Sequence, residues 1–562
     1  MRSRLLLAAA AVIAAAPPLV AKAPAPAGGK TGGPPMVLYT RPIGELLDAA
    51  RGMARVVAGE QVAGMIDDRI RAKFGDAGLD GLDLTRPAGA YMYFPDKVPV
   101  EPEDWKTATG VIAVPVTSEE KFKGMLARGF GDQGPTFEPV KGEAGLYTFH
   151  GPNGPAAIPL HVRFLEGVAY FGVNVPADGM TPARLVKLDA VADPKDTALV
   201  TVRAYSDRFP EEMRKNPFKG MEAQFDKLRE QAGGALPGPA ESFLNAYIGM
   251  AKSYAKRMQD AEESGYHVRW DERSGEVAFE TYVKPRAGTE MAKELAARKP
   301  ATNQFAALVK PDAVAAVNFS FPFGPEIRPL ILQGIEFGEK GVEQAPEEAR
   351  PLAAEFLKGL TRTVKGDSLD FVKTVYGPDK AGKYSAVAAV TFDGADKLEQ
   401  PIKDALKAAP EKAREAFKFD VAKAGGVNLH EITIPEDAAE PPAFGKVVEA
   451  FGGRTLTVAF GPKGIYAANG PDARDAIKRA LEAKPAEAKA FDIRLNPKRV
   501  GELVKAIDAG AGGIVAAALG DEDSLTSAVY VAVDGGAVLT YRVGANLKLV
   551  ARPFAVGAGV AR

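Results

Sequence analysis

One short pattern recurs along this chain, and it constrains the fold more than any other feature: a strand, a proline, an amphipathic helix and a tight hairpin. Val37-Leu38-Tyr39 leads into a helix opened by Pro42, and Thr201-Val202-Arg203 leads to Pro210. Val317-Asn318-Phe319 leads to Pro322 and Pro325, and Phe491 to Leu495 leads to Asn496-Pro497. Proline suits the first helical turn because its missing N–H would have no partner there. Two of the helices share wording, Ile43-Gly44-Glu45-Leu46-Leu47 and Val500-Gly501-Glu502-Leu503-Val504. In the first, Ile43, Leu46, Leu47, Ala50, Ala54 and Val57 form one stripe at the spacing of a core-facing helix.

The hairpins carry turn chemistry. Tyr266 to Tyr282 turns at Ser274-Gly275, Leu369 to Thr391 around Gly377-Pro378-Asp379, and Ser527 to Tyr541 at Asp534-Gly535. A glycine there supplies the positive φ of a tight turn. Tyr91 to Val116 fits the same slot with a longer loop containing Trp105. Thr117 with Glu120 reads as a capping box before Phe122, Met125 and Leu126, and Asp393 as the cap of a helix bearing Leu398, Ile402 and Leu406. Between Pro210 and Glu263 two amphipathic helices are expected, the first with Met221, Phe225 and Leu228, the second with Phe243, Tyr247, Met250 and Tyr254.

A third slot occurs twice. Val162-x-Phe164 turns at Glu166-Gly167 and ends at Asn174-x-Pro176; Val458-x-Phe460 turns at Lys463-Gly464 and ends at Asn469-x-Pro471. A helix is expected after each, around Ala183-Arg184-Leu185 and Ala473-Arg474-Asp475. The order predicts an α+β fold made by tandem duplication: pseudo-symmetric halves at 36–299 and 300–562, each of antiparallel sheet and hairpins covered on one face by amphipathic helices.

Composition sets the outer limits. Of 562 residues, 46% are hydrophobic and 25% charged, enough to bury a substantial core. Lys+Arg number 71 and Asp+Glu 72, so no basic excess favours nucleic acid as a partner. With no cysteine, thiolate nucleophiles, disulfides and Cys-ligated metals are excluded.

The N-terminus has the layout of a secretory signal peptide: Arg2 and Arg4, an apolar stretch from Leu5 to Ala16, then small residues. The stretch is too short for a comfortable membrane span, which needs about 20 residues. Residues 1–23 are therefore read as the signal peptide and 24–35 as an Ala/Pro/Gly linker. Loss of Arg2, Arg4 and Lys22 takes the net charge from −1 to −4. Gly510 to Gly520 is too short and too rich in Gly and Ala to span, so no transmembrane segment is expected in the mature chain.

The motifs that could carry chemistry each fail on spacing or context. The four histidines, His150, His161, His267 and His430, include no pair at helical metal-ligand spacing. His150 and His161 lie on neighbouring expected strands without a carboxylate frame, and His150 and His430 occupy comparable places in the two halves. Gly28-Gly29-Lys30-Thr31 has Pro24 where a phosphate loop has its leading glycine. Gly510, Gly512 and Gly513 are followed by Val515 where a dinucleotide fingerprint has glycine. Asp521-Glu522-Asp523 lacks the spacing of a calcium loop and reads as a solvated turn. Glu101, Glu103 and Asp104 flank Trp105, which either meets a partner or folds back on the sheet. No catalytic, cofactor-binding or metal-binding residue is assigned, and no cofactor is expected.

The leader, the strand–proline–helix slots and the paired motifs Asn174-x-Pro176 and Asn469-x-Pro471 resemble large exported repeat proteins of environmental bacteria, of the domain-of-unknown-function type and in planctomycete or cyanobacterial style. That resemblance spans both halves and implies no activity and no site residues. The expected function is an exported, non-catalytic binding or envelope-associated protein, periplasmic or secreted, whose partner is a protein or an apolar ligand of the envelope. The alternative is an extracytoplasmic hydrolase using Asp/Glu acid–base chemistry, which requires two carboxyls roughly 5–10 Å apart in one cleft. A third reading is a structural or chaperone-like role at the cell surface.

Overall fold

The computed structural model describes residues 33–552 apart from 96–107, 132–133, 152–159, 191, 194, 216–229, 231–247, 250–251, 253–258, 325–326 and 437–441. The signal peptide, residues 24–32 of the linker, Trp105 with its acidic neighbours, and most of the expected helices between Pro210 and Glu263 lie outside the described residues.

The first ten strands are β1 (Met36–Pro42), β2 (Pro87–Tyr93), β3 (Thr109–Pro115), β4 (Thr136–Pro139), β5 (Leu146–His150), β6 (Leu160–Leu165), β7 (Val168–Val173), β8 (Val200–Tyr205), β9 (Ala261–Asp271) and β10 (Glu276–Pro285). They continue with β11 (Thr302–Asn303), β12 (Ala315–Pro322), β13 (Ser368–Tyr376), β14 (Ser385–Thr391), β15 (Phe417–Ala424) and β16 (Val427–Thr433). The last six are β17 (Thr455–Gly461), β18 (Gly464–Asn469), β19 (Ala486–Glu487), β20 (Phe491–Leu495), β21 (Thr526–Asp534) and β22 (Leu539–Asn546). β11 and β19 pair apart from the rest, and the other strands make one sheet of twenty.

Every pairing in that sheet is antiparallel. Across it the strands run β4-β5-β6-β7-β3-β2-β1-β8-β9-β10, then β22-β21-β20-β12-β13-β14-β18-β17-β16-β15. At a strand spacing near 4.8 Å the sheet is about 90 Å wide. The junction is β10 against β22, in register from Glu276 opposite Asn546 to Val283 opposite Leu539. The edges are β4, four residues long, and β15, whose register breaks between Lys418 and Ala422 with Asp420 at φ 55°.

Helices cover one face. α1 (Ile43–Ala58) and α2 (Glu60–Phe74) follow β1, and α3 (Glu119–Phe130) follows β3. α4 (Arg328–Val342) and α5 (Arg350–Lys365) follow β12, and α6 (Glu399–Lys407) follows β14. Phe122 and Met125 of α3 pack with Val162, Phe164, Ala169 and Phe171, and Ile335 and Val364 pack with Phe321 and Phe323.

The opposite face, expected to be open, is also buried over much of its area. In the first half Val37, Tyr91, Val111 and Tyr170 pack under Met180, Leu185 and Leu188. In the second, Val372, Val387, Leu429 and Tyr466 lie under Ala476, Ile477 and Ala480 of α7 (Ala473–Leu481). Alternating strands with apolar residues at both parities can bury both faces, and that is where a one-face reading fails.

Most of the expected strands, hairpins and helices stand where the pattern put them, with local corrections. The cap of α3 is Ser118, whose side chain accepts the Lys121 N–H, so the box at Thr117 is displaced by one residue. Gly394, not Asp393, stands at the start of the turn before α6, while the Asp393 N–H donates to Thr363 Oγ1. Ala183 to Leu185 form turns rather than a helix, flanked by 3-10 turns at Ala177–Met180 and Leu188–Ala190. At the β21–β22 turn the positive φ falls on Gly536, not Gly535. Pro322 ends β12 as part of the strand, and α4 carries its proline, Pro329, in its own first turn.

Two central-strand glycines face tyrosine rings. Gly265 pairs with Tyr282, and a Cβ there would strike the Val202 carbonyl and the Tyr282 ring; Gly544 pairs with Tyr530, whose ring fills the space of its missing side chain. A glycine under a cross-strand ring lets the ring lie flat on the backbone. Gly265→Val is expected to lower the unfolding free energy by about 2 kcal/mol or more, whereas Gly334→Ala, in α4 with open space around it, gains about 0.5–1 kcal/mol. Urea unfolding of the two variants beside the parent checks both signs.

Candidate functional site

The densest polar group lies where the halves meet. Tyr39, Thr201, His267, Glu280 and Arg542 are cross-strand neighbours in one row over β1, β8, β9, β10 and β22. Asp196, just before β8, receives Thr201 Oγ1–H at 2.6 Å, Tyr39 O–H at 3.0 Å and the Ala198 N–H at 2.9 Å. Glu280 receives the Arg542 Nε and Nη2 groups at 2.9 and 2.7 Å. His267 lies between the carboxylates, its Nδ1 at 3.1 Å from Glu280 and its Nε2 at 3.9 Å from Asp196. An Arg269 nitrogen also approaches Nδ1, at 3.0 Å. One ring nitrogen cannot donate to the carboxylate and accept from the guanidinium, and charge favours donation to Glu280.

Burial by itself would raise both carboxyls. The donors outweigh it and hold Asp196 and Glu280 below the usual carboxylate range. Burial pushes Tyr39 up to about 12, so it stays a neutral donor. The other face of the same strands is apolar and open, with Tyr266 61% and Phe279 58% exposed beside Tyr541 and Val543. Polarity is thus inverted at the junction.

The second group is Glu399, Asp420 and His430, whose ligand atoms lie within 4.8 Å of one another. His430 is 1% exposed and its Nε2 has no hydrogen-bond partner. Two features oppose a metal ion here. Lys403 Nζ already bridges the carboxylates, 2.6 Å from Glu399 and 2.8 Å from Asp420. The Asp420 N–H donates to His430 Nδ1 at 3.1 Å, so in the neutral ring the proton sits on Nε2, the nitrogen nearest Glu399. A metal-bound histidine has the reverse arrangement, its free nitrogen donating.

The first half has a comparable group. Glu119 and Lys123 pair at 2.6 Å with the same i,i+4 spacing as Glu399 and Lys403. Tyr147 O–H donates to Glu119 at 2.5 Å, and Lys123 Nζ stands 3.5 Å over the Tyr147 ring. Tyr147 lies opposite Val162 as His430 lies opposite Val458. The position comparable to His430 is therefore Tyr147, not His150. His150 instead approaches Glu138 at 3.4 Å, and His161 Nδ1 donates to the Val175 carbonyl at 3.0 Å.

The acidic turn at 521–523 and the glycines at 510, 512 and 513 have structural roles. Asp523 accepts from Asn496, Lys498 and Arg499, which hold its pKa down to about 2, so it ties the turn to α8 (Pro497–Ile507). Gly510, Gly512 and Gly513 lie inside α9 (Ala509–Leu519), where Gly512 meets the Lys505 backbone of α8. Among the described residues no helix is long and apolar enough to cross a membrane. Charged side chains stand around two clefts, the first of which is otherwise lined mainly by apolar surface. One of about 450 Å³ lies between Lys498, Glu502, Lys505 and Asp521, and one of about 400 Å³ is lined by Arg298, Glu487, Lys489, Arg494 and Asp534. No protein-family model, curated protein or solved structure matches this chain.

Arg542→Met leaves Glu280 buried without its principal donor. It is expected to cost about 2–3 kcal/mol, with Glu280→Gln in the same background recovering part of the loss, as read by chemical unfolding. Desolvation lowers the His430 pKa despite the nearby carboxylates. A histidine depressed in the fold contributes stability above its unfolded pKa, near 6.5, and loses it as pH falls through the lower folded value. Stability measured from pH 7 to 5 should therefore fall more steeply in the parent than in His430→Gln, while added Zn²⁺ leaves the melting temperature of the parent unchanged.

Proposed function

We propose that this chain is an exported, non-catalytic binding protein of the cell envelope, in which a duplicated ten-strand unit serves as a rigid scaffold. The strand order supports the duplication. From the outer edge inward the first half runs β4-β5-β6-β7-β3-β2-β1-β8-β9-β10 and the second runs β15-β16-β17-β18-β14-β13-β12-β20-β21-β22. The n-th strand of one list has the same connections as the n-th strand of the other. The helix pairs α1–α2 and α4–α5 fall after corresponding strands, as do the Glu–Lys pairs on α3 and α6. The charged leader and the small residues after it support export.

The observation that carries the non-catalytic reading is the state of the buried carboxylates. Asp196 and Glu280, the two carboxylates of the junction row, are each ringed by donors and held low, as is the exposed Asp420. A general acid needs the opposite, a carboxyl raised toward neutrality by an apolar site or a like charge. The geometry therefore favours a preorganised, internally neutralised scaffold over hydrolysis by paired carboxyls. The test has two parts. The protein recovered from an envelope fraction is expected to lack residues 1–23, as intact mass reads directly. Incubation with glycoside and carboxylic-ester panels between pH 5 and 8 should release no product above buffer. Turnover abolished by Glu280→Gln or Asp196→Asn would defeat the reading.

A further inference from the structure

The segment joining the halves closes a cleft. Arg298, just past the helix Glu290–Ala297, lines it together with Glu487, Lys489, Arg494 and Asp534, around about 400 Å³. That is the size of a small-molecule site. The Arg298 stem rests against Gly535, where a Cβ would meet its methylenes at 2.9–3.2 Å, so the side chain is aimed rather than loose.

Three cations line this cleft, and Asp492 is the carboxylate within ion-pair distance of two of them. Among the described residues the Arg298 guanidinium makes no ion pair or hydrogen bond. Arg494 engages only its Nε, at 2.6 Å from Asp492 Oδ2, leaving its two terminal nitrogens available. Lys489 Nζ bonds Ser527 Oγ at 3.0 Å, stands 3.6 Å over the Tyr530 ring and is 4.0 Å from Asp492. The lining carboxylates Glu487 and Asp534 pair with none of the three. A half-buried ammonium fixed by a hydroxyl and a ring, with the Arg494 guanidinium near it and Arg298 in the same lining, is arranged to receive oxygens. Arginine presents forked donors to a planar or tetrahedral oxyanion, and lysine adds a point charge.

We propose that this cleft binds a small oxyanion-bearing molecule, a carboxylate or a phosphate, held jointly by Arg298, Lys489 and Arg494. This deepens the binding reading above and rests on it. The ligand spans the junction, because Arg298 belongs to the first half and the other two to the second. Binding therefore stabilises the whole chain. Glu487 and Asp534 limit the charge the site accepts and favour a ligand whose far end is neutral or carries donors.

Titration calorimetry and thermal unfolding of the full chain with inorganic phosphate and with citrate, against chloride at matched ionic strength, test this. At least one of the two is expected to give a saturable heat and to raise the melting temperature, and which one does so separates phosphate from carboxylate chemistry. Arg298→Gln, an exposed change that leaves the fold intact, should weaken binding roughly tenfold. Asp534→Asn should tighten it severalfold. No saturable heat with either anion, or an affinity that neither variant moves, overturns the cleft assignment and leaves the scaffold reading standing. Hydrolysis of a phosphate or carboxylic ester by the parent chain would instead remove the reading beneath it.

Discussion

Everything in this fold hangs on the pairing of β10 with β22. Eight residue pairs, Glu276 with Asn546 through Val283 with Leu539, join two ten-strand arrays, and beside them one apolar cluster sets Ala261, Val283, Met291 and Leu295 against Leu539 and Val533. Backbone hydrogen bonds alone would fasten almost any two edges. Specificity comes from what crosses with them: Arg542 reaches Glu280 over 262 residues of chain, and Tyr530 reaches Glu276 over 254. A shift of one residue along this pairing would send Arg542 to the apolar face and leave Glu280 buried without its principal donor. The buried polar row is thus a register key, a use of buried charge that outweighs its small net contribution to stability.

The same logic operates on a smaller scale within each half. Glu119 with Lys123 and Glu399 with Lys403 fasten a helix to the strand beneath it, against Tyr147 in one case and His430 in the other. Tyr147 donates to its glutamate directly, whereas in the second case Asn428 Nδ2 donates to Glu399 at 2.9 Å and the His430 ring packs beside it at 3.8 Å. A cluster that looks like a set of metal ligands from its composition is, from its hydrogens, a helix clamp with a lysine as its cation.

Much of the architecture is legible in the residues themselves. Hydrophobic alternation and turn residues located β9–β10, β13–β14 and β21–β22, and the helical stripe located α1 to within a residue. Local signals failed where two neighbours competed for one role, as Thr117 and Ser118 did for the α3 cap. They failed again where tertiary packing replaced a helix by turns, at Ala183 to Leu185. The junction row was invisible for a different reason. Tyr39, Thr201, His267, Glu280 and Arg542 carry no shared spacing, since register between distant strands brings them together. Chain order sets His150 beside His430, whereas the cross-strand partners set Tyr147, opposite Val162, in the position His430 takes opposite Val458.

The two outermost strands bear on how this protein behaves in a crowded compartment. A ribbon of twenty strands with bare margins would be a template for indefinite lateral growth. Here one margin is a four-residue stub, and the other is kinked at Asp420 with Lys418, Asp420 and Lys423 turned to solvent. Neither offers a neighbouring molecule a long, flat row of free amides. The ribbon ends where it does because its last strands refuse a successor, and a large single sheet can stay a solitary molecule rather than the first segment of a fibre.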